Sequence, residues 1–181
     1  LRYLEESVRY ANVACVCTSR VARKQGIAGR LTARAVAMDA ADGAAVSGLG
    51  MFEQGFYNQL GFGTGAYVHH VSFDPAQIRV DARARPPHRI TVQDAEQAHA
   101  SRLARARGHG SVSLYSFRIS TMEMMWEGNG FGLGYHDGAN GELTHHIWFM
   151  GEGPHGPYRV KWITYQTTEQ LKELLALIRS L

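Results

Sequence analysis

The residues best suited to chemistry in this sequence surround a short glycine-containing turn at Gly26. Small residues let the backbone turn tightly and approach a ligand closely. If a helix begins after Gly26, its first N–H groups are free and its positive dipole end faces the turn, which favours a bound anion. The basic residues around the turn are Arg20, Arg23, Lys24, Arg30 and Arg34. The pattern therefore predicts an anion site that fits a pyrophosphate.

The elements that must position this turn are two strands and two helices. Val13 to Thr18 is apolar and β-branched, as expected for a buried strand. Gly29 to Ala41 is rich in alanine, leucine, methionine and arginine, all good helix formers. A second strand is predicted over Ala44 to Met51, then a short helix over Glu53 to Gln59. We expect a further strand over Phe62 to Phe73.

The turn taken alone has a second interpretation, because the same short string opens ordinary surface helices. A second motif, Tyr-x-x-Leu-Gly-Phe over Tyr57 to Phe62, favours ligand binding, because two motifs occur together by chance much less often than one. The turn is not a dinucleotide fingerprint, which requires Gly-x-Gly-x-x-Gly directly after the strand and an acidic residue about 20 positions later. No Gly-Lys-Ser/Thr follows it, which excludes a nucleotide P-loop.

The strand, turn, helix, strand and Tyr57 motif together resemble the GNAT acetyltransferase superfamily, whose members move an acetyl group from acetyl-coenzyme A to an amine. The resemblance implies an α/β fold with a mixed sheet. It implies acetyl-CoA as cosubstrate, no metal, and an acceptor that is a small-molecule amine or a lysine side chain. Which amine is accepted and which group is the general base stay open at this point.

Individual positions take roles from the resemblance. Val16 and Thr18 would contact the pantetheine arm of acetyl-CoA through backbone groups. The residues implied for the pyrophosphate and its turn are Arg23, Lys24, Gly26, Ile27, Ala28 and Gly29. Tyr57 matches the general acid of the family, and a core tyrosine with a satisfied hydroxyl is the other interpretation. Two positions depart from the family, since Arg20 replaces a proline and Phe52 replaces a small polar residue.

Two domains are predicted, because the prolines and scattered charge of Asp74 to Arg89 are typical of a linker. We place an acetyl-CoA-binding GNAT domain, partial at its start, at residues 1–80, and a second, degenerate GNAT-like domain without the phosphate-binding turn at 81–181. The elements predicted in the second half are a helix over Ala95 to Ala106 capped by Thr91, a strand over Ser111 to Phe117, a hairpin over Phe131 to Met150, a strand over Tyr158 to Tyr165 and a helix over Glu169 to Leu181 capped by Thr167.

This layout is similar to the enhanced intracellular survival (Eis) type of acetyltransferase, which carries two tandem GNAT-like domains and then a sterol-carrier-like domain. The resemblance implies a homo-oligomer, a hexamer in that family. It also implies that the sequence is part of a longer chain, because the family places further elements before Val13 and a further domain after Leu181. A non-catalytic GNAT-like module that binds acyl-CoA or forms an oligomer is the alternative.

Composition excludes several other classes of protein. A net charge of +3, without basic residues interleaved with aromatic ones, does not favour nucleic acid. No apolar run approaches the roughly 20 residues of a membrane span, and no secretory signal opens the chain, so we expect a cytoplasmic protein without a membrane partner. We expect Cys15 and Cys17 to be buried, and one of His69 and His70 to be packed. The apolar cluster over Met122 to Trp126 is typical of a core or an interface.

Overall fold

The computed structural model describes residues 1–3, 6–50, 53–65, 67, 69–105, 112–113, 118–153 and 155–181. The described residues form mixed α/β structure in two compact units, Leu1–His70 and Val71–Leu181. The domain boundary predicted at residues 80 and 81 lies further along the chain than this division. Ile78 and Ala84, on either side of the predicted boundary, both pack against the core of the C-terminal unit.

The N-terminal unit contains a short antiparallel pair followed by a parallel β-α-β arrangement. Its elements are β1 (Arg2–Tyr3), β2 (Glu6–Ser7), β3 (Tyr10–Asn12), a 3₁₀ helix (Arg20–Ala22), α1 (Ile27–Ala41), β4 (Val46–Gly48) and α2 (Gln54–Asn58). Strands β1 and β2 pair antiparallel. Strands β3 and β4 pair in parallel, with Tyr10 opposite Val46 and Asn12 opposite Gly48. Helix α1 is the crossover between them, as parallel neighbours require.

Local sequence explains where α1 begins and ends. Gly26 precedes it with φ 70° and ψ 9°, a left-handed conformation that glycine adopts without steric cost. At the other end, the Asp42 N–H donates to the Met38 carbonyl at 2.9 Å and Gly43 takes φ 90°. The helix predicted over Gly29 to Ala41 is therefore confirmed.

The C-terminal unit is built on a four-stranded antiparallel sheet in the order β5-β7-β8-β9. Its elements are a 3₁₀ helix (Pro75–Gln77), β5 (His88–Ile90), a 3₁₀ helix (Val92–Asp94), α3 (Ala95–Ala104), β6 (Val112–Ser113), α4 (Arg118–Trp126), β7 (Gly130–Tyr135), β8 (His145–Gly151), β9 (Tyr158–Thr164) and α5 (Thr168–Arg179). The predicted hairpin, the strand β9 and the terminal helix are confirmed. Thr167 caps α5 in a capping box with Gln170, and Thr91 forms one with Asp94.

Trp148 on β8 is the largest fully buried side chain among the described residues of the C-terminal unit. Its ring stacks on that of Trp162 with centroids 5.7 Å apart and planes 10° from parallel. Glycines make room for it on the neighbouring strand, since a Cβ atom at Gly130 or at Gly132 would stand 2.8 Å from the indole ring. Small residues on β7 therefore determine how the sheet accepts its tryptophans.

Several predictions about individual segments are wrong. Residues 13–19 are not a strand, because β3 ends at Asn12 and the following residues leave the sheet. Cys15 and Cys17 are exposed rather than buried, and His69 and His70 are both exposed. The described residues between 62 and 73 contain no strand. The helix over Ala95 to Ala106 was also expected to be exposed to solvent, but Ala95, Ala98 and Ser101 of α3 are buried.

Two predictions fall partly outside the described residues. Of the strand predicted over Ser111 to Phe117, only Val112–Ser113 is described. The strand predicted over Ala44 to Met51 is described only up to Gly50. Phe52, which departs from the family pattern, also lies outside the described residues.

Helix α4 was not predicted, although its methionines were expected in the core. Met125 is buried there, while Trp126 is exposed.

His146 on β8 is a fully buried histidine in a hydrogen-bond arrangement that suits only its neutral form. The Trp162 Nε1–H donates to His146 Nε2 at 2.9 Å, so Nε2 carries no proton. The Nδ1 atom lies 3.3 Å from the Ser101 hydroxyl, which itself donates to the Thr144 carbonyl. Burial, helped by the positive charge of Arg102, lowers the pKa of His146 to about 3.

Stability of the C-terminal unit is expected to fall as the pH drops below about 6.5. In the unfolded chain His146 binds a proton near its ordinary pKa of about 6.5, whereas the folded state resists protonation until about pH 3. Since the unfolded state binds more protons in this window, the free energy of unfolding should decrease by about 2 kcal/mol between pH 7 and pH 5. Urea unfolding at both pH values measures the change. A His146→Gln variant should show a clearly smaller pH dependence of the free energy of unfolding. An unchanged pH dependence would contradict its assignment to His146.

Candidate functional site

The start of helix α1 has the backbone geometry of an anion site. Gly26 takes the left-handed conformation immediately before the helix, and its carbonyl accepts the first helical hydrogen bond from Arg30 N–H at 3.1 Å. A Cβ atom at Gly26 would stand 3.1 Å from Arg30 Nη1, and the same guanidinium donates to the Gln25 carbonyl at 2.9 Å. No side chain caps this end. The first N–H groups of α1 thus lack a side-chain cap.

Several basic residues lie close in sequence to this helix start. The five basic residues near the turn, all exposed, are Arg20, Arg23, Lys24, Arg30 and Arg34. Lys24 itself has a positive φ of 61°, so the turn contains two left-handed residues, Lys24 and Gly26. Exposed cations near helix N–H groups that have no side-chain cap are a favourable environment for a phosphate group.

A cavity of about 410 Å³ lies within the N-terminal unit beside β4. Its lining comes from β3, α1, β4, α2 and the segment after α2, and comprises Tyr10, Val36, Ser47, Gly48, Leu49, Tyr57, Asn58, Leu60, Gly61, Phe62, Gly63, Thr64 and Gly65. None of these side chains is charged. Its volume is within the range of small-molecule sites, about 300–1,000 Å³. The polar groups in its wall are hydroxyls, one side-chain amide and glycine backbone.

Tyr57 is brought to this cavity by helix α2. The Glu53 carboxylate caps the helix by accepting hydrogen bonds from Gly55 N–H at 3.2 Å and Phe56 N–H at 2.7 Å. The Tyr57 side chain is 6% exposed, and its ring makes edge contacts with Phe56 and with Phe62, whose ring centroid lies 6.1 Å away. Within the described part of the chain its hydroxyl forms no hydrogen bond. The assignment of Tyr57 as the general acid stays a prediction.

The other predicted site residues are not among the described lining residues of the cavity. Gly29 lies beside the cavity wall, since a Cβ atom there would stand 3.8 Å from Leu60 Cδ2. Val16 and Thr18 are half-buried in the segment after β3, and their backbone N–H groups make no hydrogen bond among the described residues. The helix start and the cavity are therefore neighbouring features of one unit.

Sequence reasoning missed Tyr10, Ser47 and Gly48 as members of the site. A Cβ atom at Gly48 would stand 2.6 Å from the Tyr10 hydroxyl, so glycine is required for Tyr10 to lie across β4. The Ser47 Oγ is buried and finds no hydrogen-bond partner in the described part of the chain. Strand alternation could not have identified both strand residues, because it places Ser47 and Gly48 on opposite faces.

A second polar cluster lies in the C-terminal unit around Arg85. Its guanidinium binds Asp137 (Nη2 to Oδ2, 2.7 Å) and Glu173 (Nε to Oε1, 2.7 Å), and Glu173 Oε2 lies 3.1 Å from His145 Nε2. Hydrogen bonds from Arg85 lower the pKa of Glu173 to about 2 and also lower that of Asp137, while burial lowers the pKa of His145.

The Arg85 cluster also has donor atoms suited to a metal. Ligand atoms of Asp137, His145 and Glu173 lie within 4.8 Å of one another. Arg85 already supplies the positive charge that a metal would bring there, and both carboxylates direct their oxygens to it. We therefore interpret the cluster as an ion-pair network that joins the segment before β5 to α5.

Comparison with known proteins does not assign the chain to a family. No family model matches the chain, and no curated protein matches it either. Among the described residues, no helix has both the length and the apolar character needed to cross a bilayer.

Proposed function

We propose that the protein is an N-acetyltransferase of the GNAT type that transfers the acetyl group of acetyl-CoA to a primary amine. The observation that carries the proposal is the parallel β3-α1-β4 arrangement with a left-handed glycine at the start of α1. Beside it lies an uncharged cavity that contains Tyr57. This is the order of features that the resemblance implies.

The cosubstrate would use both features. Its pyrophosphate is anionic and suits the basic helix start, with Arg23, Lys24, Gly26 and Ile27 as the residues that hold it and Ala28 and Gly29 completing the turn. Its pantetheine arm is uncharged and suits the cavity. The backbone N–H groups of Val16 and Thr18 make no hydrogen bond to any described residue and can donate to the carbonyl groups of the arm, which supports this assignment.

In the proposed reaction the amine nitrogen attacks the thioester carbonyl, a carbon–nitrogen bond forms and the carbon–sulfur bond breaks. Tyr57 gives its phenolic proton to the departing thiolate, which needs a positioned acid. The amine loses a proton as the amide forms. No carboxylate or imidazole is among the described lining residues, so we assign that proton to water. Backbone N–H groups of the segment after β3 would polarise the carbonyl.

The acceptor would be a small-molecule amine or a lysine side chain, and the protein would act as a homo-oligomer in the cytoplasm. These parts of the proposal rest on the resemblance. Large apolar side chains on α1, Leu31 (62% exposed) and Met38 (57% exposed), are available for contacts between copies. The competing proposal, a non-catalytic acyl-CoA-binding module, predicts binding without any amine-dependent release of coenzyme A.

Calorimetric titration of acetyl-CoA tests the proposal first. We expect micromolar binding by the parent protein and at least a hundredfold weaker binding by an Arg23→Ala, Gly26→Asp double variant. The variant loses a charged contact and places a negative charge at the helix start, and each charged hydrogen bond contributes about 1.5–3 kcal/mol.

A matched double variant outside the site, Arg83→Ala with Gly153→Asp, should bind like the parent. Arg83 is exposed and a Cβ atom at Gly153 would meet no atom within 4 Å. No binding by the parent, or equal binding by both double variants, would contradict the proposed acetyl-CoA site.

A further inference from the structure

The segment after β3 carries both cysteines of the sequence, Cys15 and Cys17, separated by a single residue. Both thiols are free and exposed to solvent, whereas structural buried cysteines are inert. Redox-sensing cysteines are exposed and often lie next to a second thiol, which resolves the oxidised first one. We propose that a low-molecular-weight disulfide oxidises Cys15 and Cys17 to an internal disulfide, and that this modification weakens acetyl-CoA binding.

The backbone of this segment is able to close the ring that such a disulfide requires. Residues two apart have Cα atoms at most about 7 Å from each other, and a disulfide needs about 4.4–6.8 Å, so a bend at Val16 is sufficient. The last hydrogen bond from this segment to β4 among the described residues is from Val13 N–H to the Gly48 carbonyl at 3.0 Å. Cys15 has φ 55°, a left-handed conformation that is uncommon for residues other than glycine. The chain is therefore already turned away from an extended strand at Cys15.

The oxidation consists of two thiol–disulfide exchanges. The thiolate of one cysteine attacks a sulfur atom of the small disulfide, which forms a mixed disulfide and releases one thiolate of the oxidant. The thiolate of the other cysteine then attacks the cysteine sulfur of the mixed disulfide, which forms the internal bond and releases the second thiolate. The two cysteines lose two electrons to the oxidant, and its thiolates take up the two protons that the cysteines release. Exposed or strained disulfides are the labile ones, so thiol reductants reverse the reaction.

A metal ion is a less suitable ligand for this pair of thiols. Structural zinc is held by four protein ligands and catalytic zinc by three. Among the described residues, the group of possible ligands whose atoms lie close together is Asp137, His145 and Glu173, which includes neither cysteine. The two thiols alone give a metal too few ligands, so oxidation is the chemistry that the pair supports.

Ring closure would change the part of the segment that the proposed function uses. Val16 lies between the two cysteines and Thr18 follows Cys17, and the backbone N–H groups of both make no hydrogen bond to any described residue. A bend at Val16 turns these N–H groups away from the carbonyl groups of the cosubstrate that they are proposed to bind. The effect on binding therefore rests on the proposed function, whereas formation of the disulfide does not.

The first experiment treats the reduced protein with oxidised glutathione and measures the mass of the intact chain. We expect the parent to lose two hydrogen atoms and to yield a peptide in which Cys15 is linked to Cys17. Cys15→Ser and Cys17→Ser should each keep one bound glutathione, because the resolving thiol is absent. A parent that retains both thiols, keeps bound glutathione or forms a disulfide-linked dimer would overturn the proposal.

The second experiment titrates acetyl-CoA into the reduced and the oxidised parent. We expect about 3- to 10-fold weaker binding after oxidation, the effect of one lost hydrogen bond, and full recovery with dithiothreitol. The matched control is a double variant, Cys15→Ser with Cys17→Ser, which should bind like the reduced parent with or without oxidised glutathione.

The two experiments separate the inference from the proposed function. Equal acetyl-CoA affinity of the oxidised and the reduced parent would overturn the effect on binding while the proposed function stands. If the reduced parent does not bind acetyl-CoA, the proposed function and the effect on binding both fail, and the mass measurement still decides whether the disulfide forms.

Discussion

Replacing Tyr57 by phenylalanine is expected to lower the acetyl-transfer rate by about 10²–10⁴-fold, the contribution of a positioned general acid. The phenylalanine ring keeps the edge contacts with Phe56 and Phe62, so the fold and the cavity wall should survive. Since the hydroxyl makes no hydrogen bond among the described residues, its removal leaves no protein group unsatisfied. Affinity for acetyl-CoA should therefore stay close to that of the parent.

The measurement is amine-dependent release of free coenzyme A, with polyamine, aminoglycoside and lysine acceptors. Tyr67 provides the matched control, because it is 77% exposed and lies outside the cavity lining. Tyr67→Phe should turn over like the parent. Unchanged turnover in Tyr57→Phe would rule out Tyr57 as the general acid. Acetyl-CoA binding without turnover in the parent and in both variants would favour the non-catalytic module.

Truncating Trp148 to alanine is expected to destabilise the C-terminal unit by about 3–5 kcal/mol, as is typical of buried aromatic residues. The side chain is 1% exposed, and its loss would leave Trp162 without its stacking partner beside the glycines of β7. The lower half of the range is expected, because truncation also removes an indole N–H that is buried without a partner in the described part of the chain.

Urea unfolding followed by far-UV circular dichroism gives the change in the free energy of unfolding from the midpoint and the slope. Trp126→Ala is the control, since Trp126 is 59% exposed on α4 and its removal should change stability by less than about 0.5 kcal/mol. Equal stability losses in the two variants would contradict the packing described for the sheet. A small loss in Trp148→Ala alone would show that the core refills the space.

The sequence predicted best those elements whose signals are local. The alanine-rich run of α1, the threonine caps before the 3₁₀ helix that leads into α3 and before α5, and the hairpin turn between β7 and β8 each depend on neighbouring residues. Tyr57 was identified through a short motif, and α2 places it in the wall of a cavity. Whether that wall binds acetyl-CoA stays a prediction.

Segments without a local signal were predicted poorly. Val13 to Thr18 has the composition of a buried strand, yet only Val13 N–H still bonds to β4 and the chain then leaves the sheet. Phe62 to Phe73 alternates like a strand, but none is formed by its described residues. Strand formation depends on a partner edge as much as on composition, because its hydrogen bonds are made between segments.

The mixed helix and strand content, the glycine turn at the start of α1 and the basic residues near it were all predictable from local sequence, because caps, glycine conformations and charge act within a few positions. The uncharged cavity, and the buried Ser47 hydroxyl without a partner among the described residues, could be recognised only from the three-dimensional structure. The same holds for the pairing of Arg85 with Asp137 and Glu173, which lie far from it in sequence. Burial and ion pairing both depend on which distant segments of the chain come into contact, so no short stretch of the sequence determines them.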